Sequence, residues 1–262
     1  MVQSVDFEPG HDDGTGIIVG ADSGIYRWSP DVSNSIDPVW LKGAKPLGGD
    51  DSGSADVSTN GRVLAVSSGR RITVFDADSE RKRAILIAQR GGDKVTLSSD
   101  GRWLASMSWQ GAGLRVWDLR DPSAFIDLLS QEPSVNAAFS PDSRMLVMST
   151  GSQYLAVAVG NWKSVWCIPR EGAGTLPGRM AFSPDGRILA VNHDRDIVRL
   201  LDPGSGDHYC ELRPPRTGTV TAIAFAPDGI RLAVATERRD VHLWNLQVLR
   251  SRLEEMELNW HQ

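Results

Sequence analysis

The residues able to do chemistry in this chain are few, and their spacing does not assemble them into a reactive set. Of five histidines, His193 falls at the end of an apolar run, His208 and His242 fall in expected strands, and His11 and His261 lie in a loop and the tail. None forms the His-x-His, HExxH or CxxC spacing of a metal site. Serines are plentiful without a G-x-S-x-G elbow to strain one into a nucleophile. Asp12 and Asp13 in GHDDGTG, and Asp50 and Asp51 in GGDDSGS, offer carboxylate oxygens but not the spacing of a calcium loop. The expectation is therefore a non-enzyme with no cofactor and no metal. What stands out instead is arginine: Arg70 and Arg71, Arg195, and Arg238 and Arg239 fall in short polar turns, joined in equivalent turns by Asp22, Trp109, Gln110 and Asp194. Arginine pairs in a planar, bidentate way with carboxylate or phosphate, and Trp supplies a rigid contact surface. That chemistry is recognition rather than turnover, and the bland reading is that turns are simply wet.

Something must hold such turns in register, and the chain repeats itself to do so. The clearest unit is RMAFSPDGRILAVNHDRDIVRLLD, residues 179 to 202: an apolar strand ending Phe-Ser, a Pro-Asp-Gly turn, a second apolar strand, a polar turn and a third strand. Aligned on Gly14, Gly61, Gly101, Ser143, Gly186 and Gly229, the units recur at steps of 47, 40, 42, 43 and 43 residues. A period of roughly 40 to 45 residues with about four short strands per unit is the demand of a β-propeller blade, whose small sheet cannot bury both faces alone. Pro presets φ in the turn, Asp (142, 185, 228) bonds back to local backbone, and Gly186 and Gly229 supply positive φ. The expected fold is all-β, a six-bladed β-propeller of about four antiparallel strands per blade, with a short C-terminal helix and a last blade that is a candidate for being incomplete.

Inner strands are expected at 4–8, 55–59, 94–99, 135–140, 179–183 and 220–226. Second strands (16–21, 63–68, 103–108, 145–150, 188–193, 231–236) are near-continuously apolar, which predicts burial on both faces. Third strands are expected at 25–29, 72–76, 114–119, 154–159, 197–202 and 241–246, and more polar fourth strands near 39–44, 82–88, 124–129, 164–169 and 208–213.

Trp117-Asp118, Phe75-Asp76, Trp244-Asn245 and Trp28-Ser29 closing third strands, with the FSPD or FAPDG hairpins at Phe139, Phe182 and Phe225, resemble WD-repeat (WD40) propellers over residues 4 to 246. Units four and five depart, reading Ala158-Val159 and Leu201-Asp202 where an aromatic-Asp pair is expected. The Gly-His pair that opens many WD repeats is missing from its position, since Gly10-His11 lies in a hairpin loop, which points to a less polar, bacterial-type variant. Residues 243 to 260 resemble the C-terminal segment of large bacterial regulatory proteins in which a WD-repeat domain follows protein-kinase-like modules. The resemblance implies a non-catalytic scaffold for protein–protein interaction, in a regulatory or signalling assembly. The rival readings are a propeller enzyme of the lactonase or hydrolase kind, which would need converging acids, histidines or a metal, and a small-ligand sensor.

The domain boundary is expected at 246: a propeller over 1–246, then a helix and tail over 247–262 whose stripe of Leu246, Leu249, Leu253 and Met256 packs on the last blade or, less simply, takes a partner. A length of 262 residues, nine Trp, 26 Gly and 23% charged residues suit one turn-rich domain. The net charge of −5 gives no reason to expect nucleic acid or an anionic membrane as partner. Cys167 and Cys210, in consecutive rim strands, are expected as free, buried or half-buried thiols. With no basic start, apolar leader or membrane-length run, the expected location is cytoplasmic. Only Met1, Val2 and Gln3 precede the first inner strand, so either the last blade has three strands under the helix or the chain is the end of something longer. An open strand edge there invites a homodimer or a partner strand. Expected partners are otherwise proteins, with acidic or phosphorylated segments against the arginines.

Overall fold

A computed structural model describes residues 2–8, 16–21, 24–28, 45–48, 54–79, 81–170 and 176–255, in two compact units that divide after Val135. Asp12, Asp13, Asp22, Asp50, Asp51, His11, His261, Met256 and the strand expected at 39–44 lie outside the described residues, and so does the side chain of Trp28.

The first unit holds three four-stranded antiparallel sheets. They are β1 (Val2–Glu8), β2 (Gly16–Ala21), β3 (Gly24–Trp28) and β4 (Lys45–Gly48); β5 (Ala55–Val57), β6 (Val63–Ser68), β7 (Arg71–Asp76) and β8 (Lys82–Ile87); and β9 (Gly92–Leu97), β10 (Trp103–Ser108), β11 (Leu114–Asp118) and β12 (Phe125–Leu128). The second unit holds two more four-stranded sheets, β13 (Asn136–Phe139) to β14 (Met145–Ser149), β15 (Gln153–Ala158) and β16 (Ser164–Pro169), then β17 (Met180–Phe182) to β18 (Leu189–Asn192), β19 (Val198–Leu201) and β20 (His208–Leu212). Its last sheet has three strands, β21 (Val220–Phe225), β22 (Arg231–Thr236) and β23 (Val241–Asn245), followed by the helix α1 (Leu246–Glu255). Every sheet is a meander in chain order.

The hairpin between first and second strands is built by an interlock. In the fifth sheet the Ser183 hydroxyl donates to Asp185 Oδ1 at 2.6 Å, the same carboxylate accepts Arg187 N at 3.1 Å, and Ile188 N donates back to Ser183 Oγ at 2.9 Å. Ser140–Asp142 and Ser98–Asp100 repeat the hydroxyl–carboxylate bond at 2.6 Å, and Ser58–Asn60 is its amide version. The serine of the motif is therefore as structural as the Pro-Asp-Gly that follows it. In the sixth sheet Ala226 stands in its place, and Asp228 keeps Ile230 N and the Arg231 guanidinium. Gly186 has φ of +71° and Gly229 of +69°, a region where a Cβ is strained. Gly186→Val is expected to destabilise by about 1–3 kcal/mol through that backbone strain, since its Cβ would meet nothing nearer than Pro141 Cδ at 3.6 Å. An unchanged Tm would show the turn tolerates a β-branched residue.

Burial follows the apolar runs of the second strands. β6 is buried along its first five residues, and β10 and β18 throughout. In the first unit Val63, Ile72, Leu86, Leu97, Leu104 and Trp117 form one cluster. In the second, Val147, Tyr154, Trp166, Leu189 and Leu201 form another. The sixth sheet corrects the expectation of two buried faces: Leu232 and Val234 are buried, but Ala233 and Ala235 are half-buried, and beside them Val241 is 61% and Leu243 72% exposed.

The helix begins at Leu246, one residue before the expected start, because Asn245 caps it, its Oδ1 accepting Val248 N at 3.0 Å. Leu246 is buried, and Leu249 and Leu253 pack into the cluster of Leu200, Leu212, Val220, Leu232 and Val234. Among the described residues no helix is long and apolar enough to cross a membrane. Cys167 is free and exposed, which corrects the expected burial because the rim strand β16 turns it to solvent; Cys210 is free and half-buried, with its thiol pushed up to about 11 by burial.

Strand pairing also corrects the register in unit four. Leu104 faces Trp117, Leu64 faces Phe75, Leu189 faces Leu201 and Leu232 faces Trp244, so Leu146 opposite Val157 makes Val157-Ala158, not Ala158-Val159, the counterpart of Trp117-Asp118. Without an aromatic-Asp pair, the sequence had no mark to fix that register.

Candidate functional site

The arginine-bearing turns connect second to third strands, and the second unit brings two of them together. Arg195 follows β18 and Arg238 follows β22. Both line a depression of about 310 Å3 with Asp194, Asp196, Thr219 and Glu237. The walls are tied by backbone: Val220 N donates to Arg195 O at 2.8 Å and Glu237 N to Thr219 O at 2.9 Å. Arg195 Nη2 reaches Thr219 Oγ1 at 3.2 Å, and Glu237 Oε1 accepts Thr219 N at 3.2 Å. That backbone bond and the Thr219 hydroxyl hold the Glu237 carboxyl below its ordinary range. Asp194 Oδ1 accepts Arg195 N at 2.6 Å.

Two groups on these walls keep their hydrogen-bonding capacity. Neither the Arg238 guanidinium nor the Asp196 carboxylate has a hydrogen-bond partner among the described residues. Arg239 does not line the depression. It occupies a left-handed turn position, φ +65°, its N–H donating to Thr236 O, so its role is set by the turn. The neighbouring Asp240 carboxyl is held low, first by the Thr236 hydroxyl.

In the first unit Arg70 sits in the β6–β7 turn and Arg71 is the first residue of β7. Arg70 Nε is already used on Ala88 O at 3.0 Å, whereas Arg71 opens β7 as an exposed residue. Trp109, in the β10–β11 turn, is 40% exposed, with its N–H anchored to Gly91 O. Gln110 beside it adopts φ +55° and donates its N–H to Ser134 Oγ.

Of the carboxylates on these walls the sequence singles out Asp194 but not Asp196 or Glu237. Asp196 and Glu237 flank the selected arginines in the strings DRD and ERR, so the mixed charge of the depression was legible in the immediate neighbours. The remaining repeat residues are structural. Arg102 grips Asp118 with two bonds of 3.0 and 2.7 Å, which hold the Asp118 carboxyl below the usual range. Asp76 takes Arg81 and Arg83, and Trp117 and Trp244 pack into the cores of their units. His193 is buried, His208 is exposed and His242 lies 3.6 Å from Asp240. Among the described residues no three His, Cys, Asp or Glu side chains group as metal ligands.

Comparison with known proteins fits this architecture. Residues 137–216 match the profile of the anaphase-promoting complex subunit 4 WD40 domain, and residues 206–245 that of the WD domain, G-beta repeat. No curated protein matches the sequence. Among solved structures, the β-propeller domain of Myceliophteria thermophila Cps50 (Swd1) superposes with a TM-score of 0.74 at 15% identity, over 93% of this chain and 82% of that one. A chain of the mitotic checkpoint complex superposes with a TM-score of 0.71 at 19% identity, over 93% and 74%. At such identities the likeness is one of fold. The chain thus has the all-β fold of WD-repeat propellers, and the profile matches over residues 137–245 support the WD40-repeat family.

Proposed function

We propose that this protein is a non-catalytic scaffold that binds a partner protein through the turns between its second and third strands. The observation that carries this reading is the 310 Å3 depression lined by a guanidinium, Arg238, and a carboxylate, Asp196, that both lack hydrogen-bond partners among the described residues. Such a surface suits a segment carrying charges of both signs, an acidic or phosphorylated residue against Arg238 and a basic one near Asp196. Arg71 and Trp109 give the first unit exposed contact residues of the kind that dominate interface energetics. WD-repeat propellers commonly serve in multi-protein complexes, and the resemblance of residues 243 to 260 to bacterial regulatory proteins makes a cytoplasmic regulatory assembly the context we favour; a fold alone does not dictate function.

The test is an affinity pull-down from native extract, comparing wild type with a form carrying Ala at Arg70, Arg71, Arg195, Arg238 and Arg239. Partners that fall at least tenfold in recovery while Tm is kept place the interaction on these turns. Undiminished recovery removes it from them. Turnover of lactone or ester substrates by the purified protein, abolished by a chelator, would instead favour the enzyme reading.

A second reading, self-association through the sixth sheet, has its own observation. β23 has no strand beyond it among the described residues, and the large apolar side chains Val241 and Leu243 share an exposed face. A dimer by light scattering that Leu243→Lys converts to monomer is the expected result; a wild-type monomer at all concentrations contradicts it.

A further inference from the structure

The side of the second unit that carries the first-to-second-strand hairpins holds two adjoining depressions, of about 410 and 360 Å3. Both are lined by Arg187, Ile188 and Arg250, so these residues form the divide between them. Arg187 comes from the β17–β18 hairpin and Arg250 from α1. Tyr209 and Pro203 wall the larger hollow, Ile230 and Leu246 the smaller.

The carboxylates on these walls are already used. Asp202 Oδ1 accepts Gly204 N at 2.7 Å and Ser205 N at 3.1 Å, and its Oδ2 accepts the Tyr209 hydroxyl at 2.9 Å. Burial and this bond push the Tyr209 phenol up to about 12, so it stays a donor at neutral pH. Asp185 Oδ1 is taken by Ser183 Oγ and Arg187 N. The Arg187 guanidinium, by contrast, meets no acceptor among the described residues.

The repeat explains why. In the third sheet the arginine at this hairpin position, Arg102, is held by Asp118 at the end of β11. The fifth-sheet counterpart of Asp118 is Asp202, which has been drawn to its own turn and to Tyr209. Arg187 is left with its guanidinium donors unused among the described residues, on the lip of an apolar hollow that Arg250 of the helix also lines. A guanidinium in a partly desolvated groove favours an oxyanion, and the second cation adds to that preference.

We propose that this groove is a second binding site, distinct from the arginine turns, which takes an oxyanion carried on an extended protein segment, with Arg187 and Arg250 receiving the anion and the hollows on either side receiving the flanking apolar side chains.

Three acetylated, amidated nonapeptides of Gly, Ser and Leu, differing only in a central Glu, phosphoserine or Gln, test it by calorimetric titration of the whole chain. At least one anionic peptide should bind, with the Gln peptide at least tenfold weaker. Arg187→Gln and Arg250→Gln should each weaken the anionic peptide at least tenfold without lowering Tm, whereas Arg238→Ala should leave it unchanged. If Arg250→Gln lowers Tm, Arg250→Lys replaces it, since a lysine keeps the charge but loses the fork. A preference for phosphoserine assigns the anion to a phosphorylated residue, a preference for Glu assigns it to a carboxylate, and equal binding shows that the site reads the oxyanion without discriminating the two. No binding of either anionic peptide, equal binding of the Gln peptide, or binding that survives both arginine substitutions overturns the proposal, and none of these bears on the arginine turns.

Discussion

Arg170→Ala should lower the stability of the second unit by about 3 kcal/mol or more, the scale of losing charge-assisted hydrogen bonds and stranding buried acceptors. Arg170 follows β16 and is only 8% exposed, and among the described residues it has no salt-bridge partner. Its guanidinium instead serves backbone: Nη1 donates to Thr150 O at 2.7 Å and to Leu176 O at 2.8 Å, and Nε to Asn192 O at 3.4 Å. It also lies over the Tyr154 ring, 5.4 Å from its centroid. The Tyr154 hydroxyl donates to Asn192 O at 2.9 Å, and burial pushes the phenol well above its ordinary range, so it remains a donor. Asn192 in turn accepts Arg179 N on its side chain. One buried node thus ties β15, the chain after β16 and β18 together, and Gly178 leaves room for it, since a Cβ there would overlap the Tyr154 hydroxyl. Urea unfolding measures the loss. Tyr154→Phe should cost less, about 1–2 kcal/mol, because it strands acceptors without emptying volume. A loss below about 1 kcal/mol for Arg170→Ala would mean that water can take over the carbonyls.

Trp117→Ala is expected to cost about 3–5 kcal/mol, the range for emptying a large aromatic from a close-packed core. Trp117 closes β11, is 2% exposed, and packs in the cluster with Leu97, Leu104 and Val95. Phe125 lies across from it with centroids 6.5 Å apart, and Phe125 is itself half exposed, so it cannot fill the hole without leaving Arg115, whose guanidinium stacks on its ring. Trp244 occupies the same repeat position in the sixth sheet but is only half-buried, so Trp244→Ala should cost clearly less. Equal losses in thermal unfolding would contradict the burial difference.

That contrast shows what the sequence could and could not disclose. The period and the hairpins were legible because their cause is local: Ser183, Asp185 and Gly186 satisfy one another's geometry within a few residues, as do Ser140, Asp142 and Ser143. The strand-closing aromatics were legible as a pattern, but their burial was not, since it depends on the neighbouring sheet. Trp117 has neighbours that cover it; Val241 and Leu243, apolar residues of an expected third strand, stand exposed. Register in unit four needed Leu146 opposite Val157, a pairing that leaves no mark in composition. The same limit governs the sites. Arginines in turns, and the carboxylates next to them in sequence, can be picked out one at a time, whereas the meeting of Arg195 and Arg238 around one hollow and the use of Arg70 on Ala88 O arise from contacts between segments distant in sequence. Nothing in the sequence marks Arg187, because its lack of an acceptor among the described residues follows from where Asp202 points.

The β18–β19 and β22–β23 turns are where we propose that a partner is held. Site-specific photo-crosslinking measures that directly: benzoylphenylalanine is placed at position 237, on the wall of the Arg195–Arg238 depression, or at the exposed Lys163 position as control, and the protein is irradiated in native extract. A discrete adduct at 237, absent at 163 and lost when Arg195 and Arg238 are alanine, is the predicted result. No adduct at 237, or the same adduct from both positions, would contradict it.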